Sequence, residues 1–149
     1  PATPAPALDG DGPVGFVRCA NECHLTARLV DGLRELVVDD PRASVAVIAR
    51  TAEAAKVLAA RLARGVDVRL ALDGDFHFGA GVQVTAVREV KGLEFDHVVV
   101  PDASSSTYPD SGEARRALYV AITRAAHRVV LASASSWSPL LAGTGITAP

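Results

Sequence analysis

From Val14 the chain alternates short β-branched runs with stretches whose apolar residues recur every three or four positions. Val14 to Arg18 reads as a strand, Leu25, Leu29, Leu33 and Leu36 fall at helical spacing, Ser44 to Ala49 reads as a second strand, and Ala55, Leu58, Ala59 and Leu62 return to helical spacing. Further strands are predicted at Val66 to Leu70, Val82 to Val87, His97 to Val100 and Arg128 to Ala132, with a helix over Glu113 to Ala125 before the last. Runs such as Val98-Val99-Val100 lack a polar alternate, the pattern of strands covered on both faces. The expectation is an α/β, three-layer domain with a mostly parallel sheet and helices on both sides. Residues 1 to 13, made of Pro, Ala, Gly and Asp with few larger apolar residues, read as a flexible linker, 14 to 141 as the domain, and 142 to 149 as a tail. Between Arg64 and Gly81 a Gly- and Asp-rich stretch joins two units without a helix.

The helix over Glu113 to Ala125 resolves by angle. Ala114, Leu118, Ala121, Ile122 and Ala125 share an arc of about 100° and should face the sheet. Glu113, Arg116, Thr123 and Arg124 lie elsewhere, and so does Val120, an apolar residue among polar ones. Either this second face is solvated with one stray valine, or a partner domain covers it.

Length and charge narrow the setting. At 149 residues the chain is long enough for one hydrophobic core, and a formal net charge of −2 supplies no overall basic field. Any nucleic-acid contact must come from a local group of Lys and Arg. No apolar run approaches the ~20 residues that span a bilayer. Pro1 to Gly12 lacks the basic start and apolar centre of a secretory leader, so a cytoplasmic location is expected, with no membrane partner. Cys19 and Cys23, in Cys-Ala-Asn-Glu-Cys-His, lack a fourth ligand at suitable spacing. They are expected to be core thiols at a strand-to-helix junction, and no metal site is assigned.

Two strings carry the chemistry. Lys91-Gly92-Leu93-Glu94-Phe95-Asp96 joins two buried strands, with Arg88 just before it. Glycine there lets the backbone approach a ligand, and the ends of strands in open α/β sheets are common binding positions. Glu94 between Leu93 and Phe95 is a carboxylate that calls for a hydrogen-bonding reason. The second string is Tyr119-Val120-Ala121-Ile122-Thr123-Arg124-Ala125. Gly10-Asp11-Gly12-Pro13-Val14-Gly15 matches a dinucleotide fingerprint in letters only, because it leads into a strand where the fingerprint requires a helix. No G-x-x-x-x-G-K-[ST] loop is present, so this chain is not expected to hydrolyse ATP alone.

Thr85 to Asp96 and Glu113 to Ala125 resemble motifs V and VI of superfamily 1 helicases of the UvrD/Rep/HelD kind, in the right order and about 20 residues apart. Val45 to Thr51, a strand ending in Arg50, is similar to motif IV. The resemblance covers Val14 to about Leu141 and implies the second, C-terminal RecA-like domain of such an enzyme. It implies ATP, with Mg2+, held mainly by an N-terminal RecA-like domain. Arg124 and Arg50 would reach the γ-phosphate, and Glu94, with Gly92 allowing the approach, would bind the ribose. Thr85, Arg88 and Lys91 would face single-stranded DNA, although the family usually carries histidine at Arg88. Larger members insert a subdomain between motifs IV and V, whereas about twenty residues, Leu62 to Gly81, are available here, as in the compact HelD-like branch. An ATP-dependent, 3′-to-5′ DNA helicase or translocase is the leading expectation. A HelD-like factor acting on RNA polymerase and a degenerate scaffold domain are the alternatives.

Overall fold

The computed structural model describes residues 12–143. Six strands, β1 (Val14–Arg18), β2 (Ser44–Ala49), β3 (Val68–Leu70), β4 (Gly81–Ala86), β5 (Phe95–Val100) and β6 (Ala125–Ser133), form one sheet in the order β1-β6-β5-β2-β4-β3. Every neighbouring pair is parallel. The helices are α1 (Glu22–Asp39), α2 (Ala52–Leu62), α3 (Gly112–Ile122) and the short α4 (Leu140–Gly143).

Each longer helix begins on a side chain suited to the task. Asn21 Oδ1 accepts from His24 N at 2.8 Å, Thr51 Oγ1 from Ala54 N at 3.1 Å, and Ser111 Oγ from Ala114 N at 3.1 Å. Each bond satisfies an amide that the first turn leaves without a partner. Beyond the caps, burial decides. Leu25, Leu29 and Leu33 of α1 and Ala55, Ala59 and Leu62 of α2 pack with Val45, Val47, Val84, Val99 and Val130 on one face. Ala114, Leu118 and Ala121 of α3, with Leu140 and Leu141, pack with Ala46, Ile48, Val98, Val100 and Leu131 on the other. Alternate residues of one strand thus enter different cores, which is why the strands read as unbroken apolar runs. The expected three-layer α/β architecture with a mostly parallel sheet is what the chain adopts.

Several local expectations shift. The last long helix stops at Ile122, where the Thr123 amide and hydroxyl both donate to the Tyr119 carbonyl, at 3.0 and 2.9 Å. Ala125 instead opens β6 opposite Phe95, because pairing into the sheet satisfies its backbone better than another helical turn. Val120 is half-buried against the chain's own second core, so no partner is needed to explain it. Cys19 is buried as expected, but Cys23, in the first turn of α1, is exposed. Most of the expected linker and tail lies outside the described residues, as do Gly10 and Asp11. Gly12 and Pro13 do lead into a strand.

Candidate functional site

Because β4 and β5 are parallel, the segment between them must run from the C-terminal end of one back to the N-terminal edge of the sheet. Residues 87–94 do this without an α-helix. A 3₁₀ turn at Val87–Glu89 buries Val87 against the second core, and Val90 is buried there too; Leu93 N then donates to Val90 O at 3.0 Å. Gly92 sits at φ +78°, a left-handed conformation that costs other residues ~1–2 kcal/mol. A Cβ built there would meet nothing within 4 Å, so the backbone angle selects glycine and crowding does not. The motif therefore carries Gly92 and Glu94 to the N-terminal edge, away from the strand ends where the sequence pattern placed a ligand. Glu94 is exposed just before β5 begins.

Arg124 is at the same edge, in the turn between α3 and β6. Its carbonyl accepts from Phe95 N at 2.9 Å, which locks the two strings together. Its half-buried side chain folds back over them: Nε donates to Val120 O at 3.2 Å, Nη1 to Leu93 O at 3.5 Å and Nη2 to Thr123 Oγ1 at 3.1 Å. A guanidinium has five N–H donors, so these contacts leave two unspent. Gly92, Glu94 and Arg124, distant in sequence, are thus gathered on one edge. Thr123 was in the motif, but its role as a support for the arginine was not apparent from sequence. The visible signal is a hydroxyl residue directly before the arginine at a helix end.

Arg50 lies elsewhere. It follows β2 at the C-terminal edge, separated from Arg124 by at least the six residues of that strand, ~20 Å at 3.3 Å per residue. Its Nη1 donates to Thr107 O, its guanidinium stacks 5.4 Å from the Tyr108 ring centroid, and Nη2 is 3.7 Å from Glu113 Oε1. Arg50 and Arg124 thus stand at opposite ends of the sheet, each held by contacts of its own end. Tyr108 is fully buried, and its phenol is pushed well above the ordinary range by burial, against the lowering pull of Arg50, with Asp102 adding to the rise. Arg50 also borders a cleft of about 700 Å³ lined by Leu25, Leu29, Val57, Arg61 and Asp102 among others.

The three residues expected to face DNA also divide. Arg88 and Lys91 are exposed, Arg88 with Nε 3.7 Å from Glu89 Oε2. Thr85 is fully buried in β4, and its hydroxyl has no hydrogen-bond partner among the described residues. It cannot touch a phosphate from that position, so its expected role is corrected. The alternation of β4 turns its side chain into the second core.

A parallel sheet sandwiched between helices, with paired motifs at one edge and no phosphate loop of its own, is the fold of a RecA-like C-terminal motor domain. Residues 81–132 match the model of the UvrD-like helicase C-terminal domain. The chain is also similar, at 32% identity and TM-score 0.76, to the C-terminal domain of a possible DNA helicase from Lactobacillus plantarum WCFS1; the match covers 90% of this chain and 81% of that one. It belongs to the UvrD-like helicase C-terminal domain family. The fold recurs in the C-terminal domain of the DEAD-box protein Dbp5 (19% identity, TM-score 0.54, 82% of this chain and 76% of that one). It recurs again in the SWI2/SNF2 ATPase core of Sulfolobus solfataricus (11%, 0.59), where 85% of this chain spans 28% of the other. No curated protein sequence matches the chain.

Proposed function

We propose that this chain is the C-terminal half of an ATP-dependent DNA motor, and that its N-terminal sheet edge is the face it turns toward a nucleotide held by a second motor domain. The observation that carries this reading is the gathering of Gly92, Glu94 and Arg124 on that edge, joined by the Phe95–Arg124 backbone bond and by the Arg124–Leu93 contact. The donor set suits a nucleotide approached from one side only. Glu94 offers an exposed carboxylate to ribose hydroxyls, and Gly92 keeps the neighbouring backbone open. Arg124 retains two N–H donors for phosphate oxygens. In this reading Mg2+ comes with the nucleotide held by the other domain.

When bound, ATP would supply a γ-phosphoryl group whose developing charge Arg124 is placed to neutralise. In this reading Arg124 carries the step, and Arg50 holds Thr107 and Tyr108 at the opposite end of the sheet. Arg88 and Lys91 are the exposed cations available to the phosphates of a single strand. The connection Ala71 to Ala80 is too short for an inserted subdomain, which supports the compact, HelD-like branch.

The test is Arg124→Ala in the full-length protein. DNA-stimulated ATP turnover should fall ~10³-fold or more, the usual worth of an arginine finger, while the unfolding midpoint stays near wild type. Turnover within about threefold of wild type, far short of that finger effect, would exclude the role.

A further inference from the structure

Arg124 can serve a phosphate only if its guanidinium is held at a fixed angle, and the structure shows what holds it. The Thr123 hydroxyl stands between the helix end and the arginine. It accepts from Arg124 Nη2 at 3.1 Å and donates its single proton to Tyr119 O at 2.9 Å, with Val120 O sharing that proton at 3.2 Å. Val120 O also receives Arg124 Nε at 3.2 Å. Hydroxyl, carbonyl and guanidinium thus form a set in which every partner but Leu93 O is an oxygen of α3 or its cap. The β-branch at Thr123 limits its side chain to few rotamers, so the acceptor stays in place. Thr123 is itself exposed and contributes nothing to either core.

We infer that Thr123 is a positioning residue for Arg124: its hydroxyl orients the guanidinium so that the two unspent N–H donors face the partner domain's nucleotide. This rests on the reading of Arg124 given above. It goes beyond that reading by naming a second side chain on which turnover depends and by giving the atom through which it acts. A valine at 123 keeps the shape and the β-branch but offers no acceptor. The arginine then retains its two carbonyl contacts and loses the one that fixes Nη2. A serine restores the acceptor.

The experiment uses the full-length protein with ATP and a single-stranded dT oligonucleotide. Thr123→Val should lower kcat by ~10-fold, the scale of one hydrogen bond to a charged group, with KM for ATP nearly unchanged. Thr123→Ser should recover most of the loss. In an Arg124→Ala background, Thr123→Val should change nothing further, because the group it orients is gone. A merely structural threonine would lower the unfolding midpoint and reduce turnover equally in both backgrounds, and that result would overturn the inference. So would wild-type kcat in Thr123→Val alongside an inactive Arg124→Ala, which would leave the reading of Arg124 standing. Full activity in Arg124→Ala would remove the reading itself and this inference with it.

Discussion

Two buried hydroxyls are the residues whose chemistry is least expected from their surroundings. Thr85 Oγ1 and Tyr108 Oη are enclosed with no hydrogen-bond partner among the described residues. An unsatisfied buried polar group costs ~1–3 kcal/mol. Thr85→Val, which removes the hydroxyl and keeps the shape, is expected to raise unfolding stability by about 1 kcal/mol, read as a higher urea midpoint at unchanged slope. A drop in that midpoint would mean that the hydroxyl has a partner. Tyr108 makes a pH-dependent case. Its folded-state pKa is raised, chiefly by burial, so above the ordinary tyrosine value of ~10 the unfolded chain releases a proton that the folded chain keeps. Stability should therefore be undiminished by this group below ~pH 10 and should fall as pH rises above it. Tyr108→Phe should flatten that alkaline decline, and urea titrations at two or three alkaline pH values would show whether it does.

At the scale of elements, the segment between β5 and α3 depends on one arginine. Residues 101–111 contain no helix or strand, yet Ala103, Ser104 and Tyr108 are buried. They are held by Asp102, whose carboxylate accepts from Ser104 N and Thr107 Oγ1 at 3.2 and 2.5 Å, by Ser138 Oγ donating to Tyr108 O at 2.5 Å, and by Arg50 reaching across from β2. Arg50→Ala removes a bond to a carbonyl and the guanidinium over the Tyr108 ring, a loss of about 1–3 kcal/mol. Its ion pair with Glu113 adds little, since the Glu113 side chain is 85% exposed. The expected signature is faster amide exchange across Thr107 to Ser111 with ATP turnover retained once the protein is folded. A collapse of turnover at full stability would restore Arg50 to the nucleotide site. Because Arg50 closes a strand similar to motif IV, the family resemblance implied for it the same duty as for Arg124. Its hydrogen bond in the structure is to the loop carbonyl of Thr107.

For the whole molecule, the parallel arrangement of the sheet is the deciding feature. The central strands were legible in sequence because β2 and β5 contribute alternate residues to two cores, and that demand writes unbroken apolar runs such as Val45 to Ala49 and Val98 to Val100. The helices were legible from their periodicity, and the two strings at Lys91 to Asp96 and Tyr119 to Ala125 were enough to indicate the family. Which end of the sheet each motif occupies was not legible, since a local pattern of letters is the same whether the following segment crosses the sheet or turns back. Residue type and spacing, set by burial and helical pitch, are local quantities, and the chain order alone determined them. The separation of Arg50 from Arg124, the burial of Thr85 and the inward packing of Val120 arise from contacts among segments up to tens of residues apart. Those contacts exist only once parallel pairing has set strand order and direction, so the tertiary structure settled them.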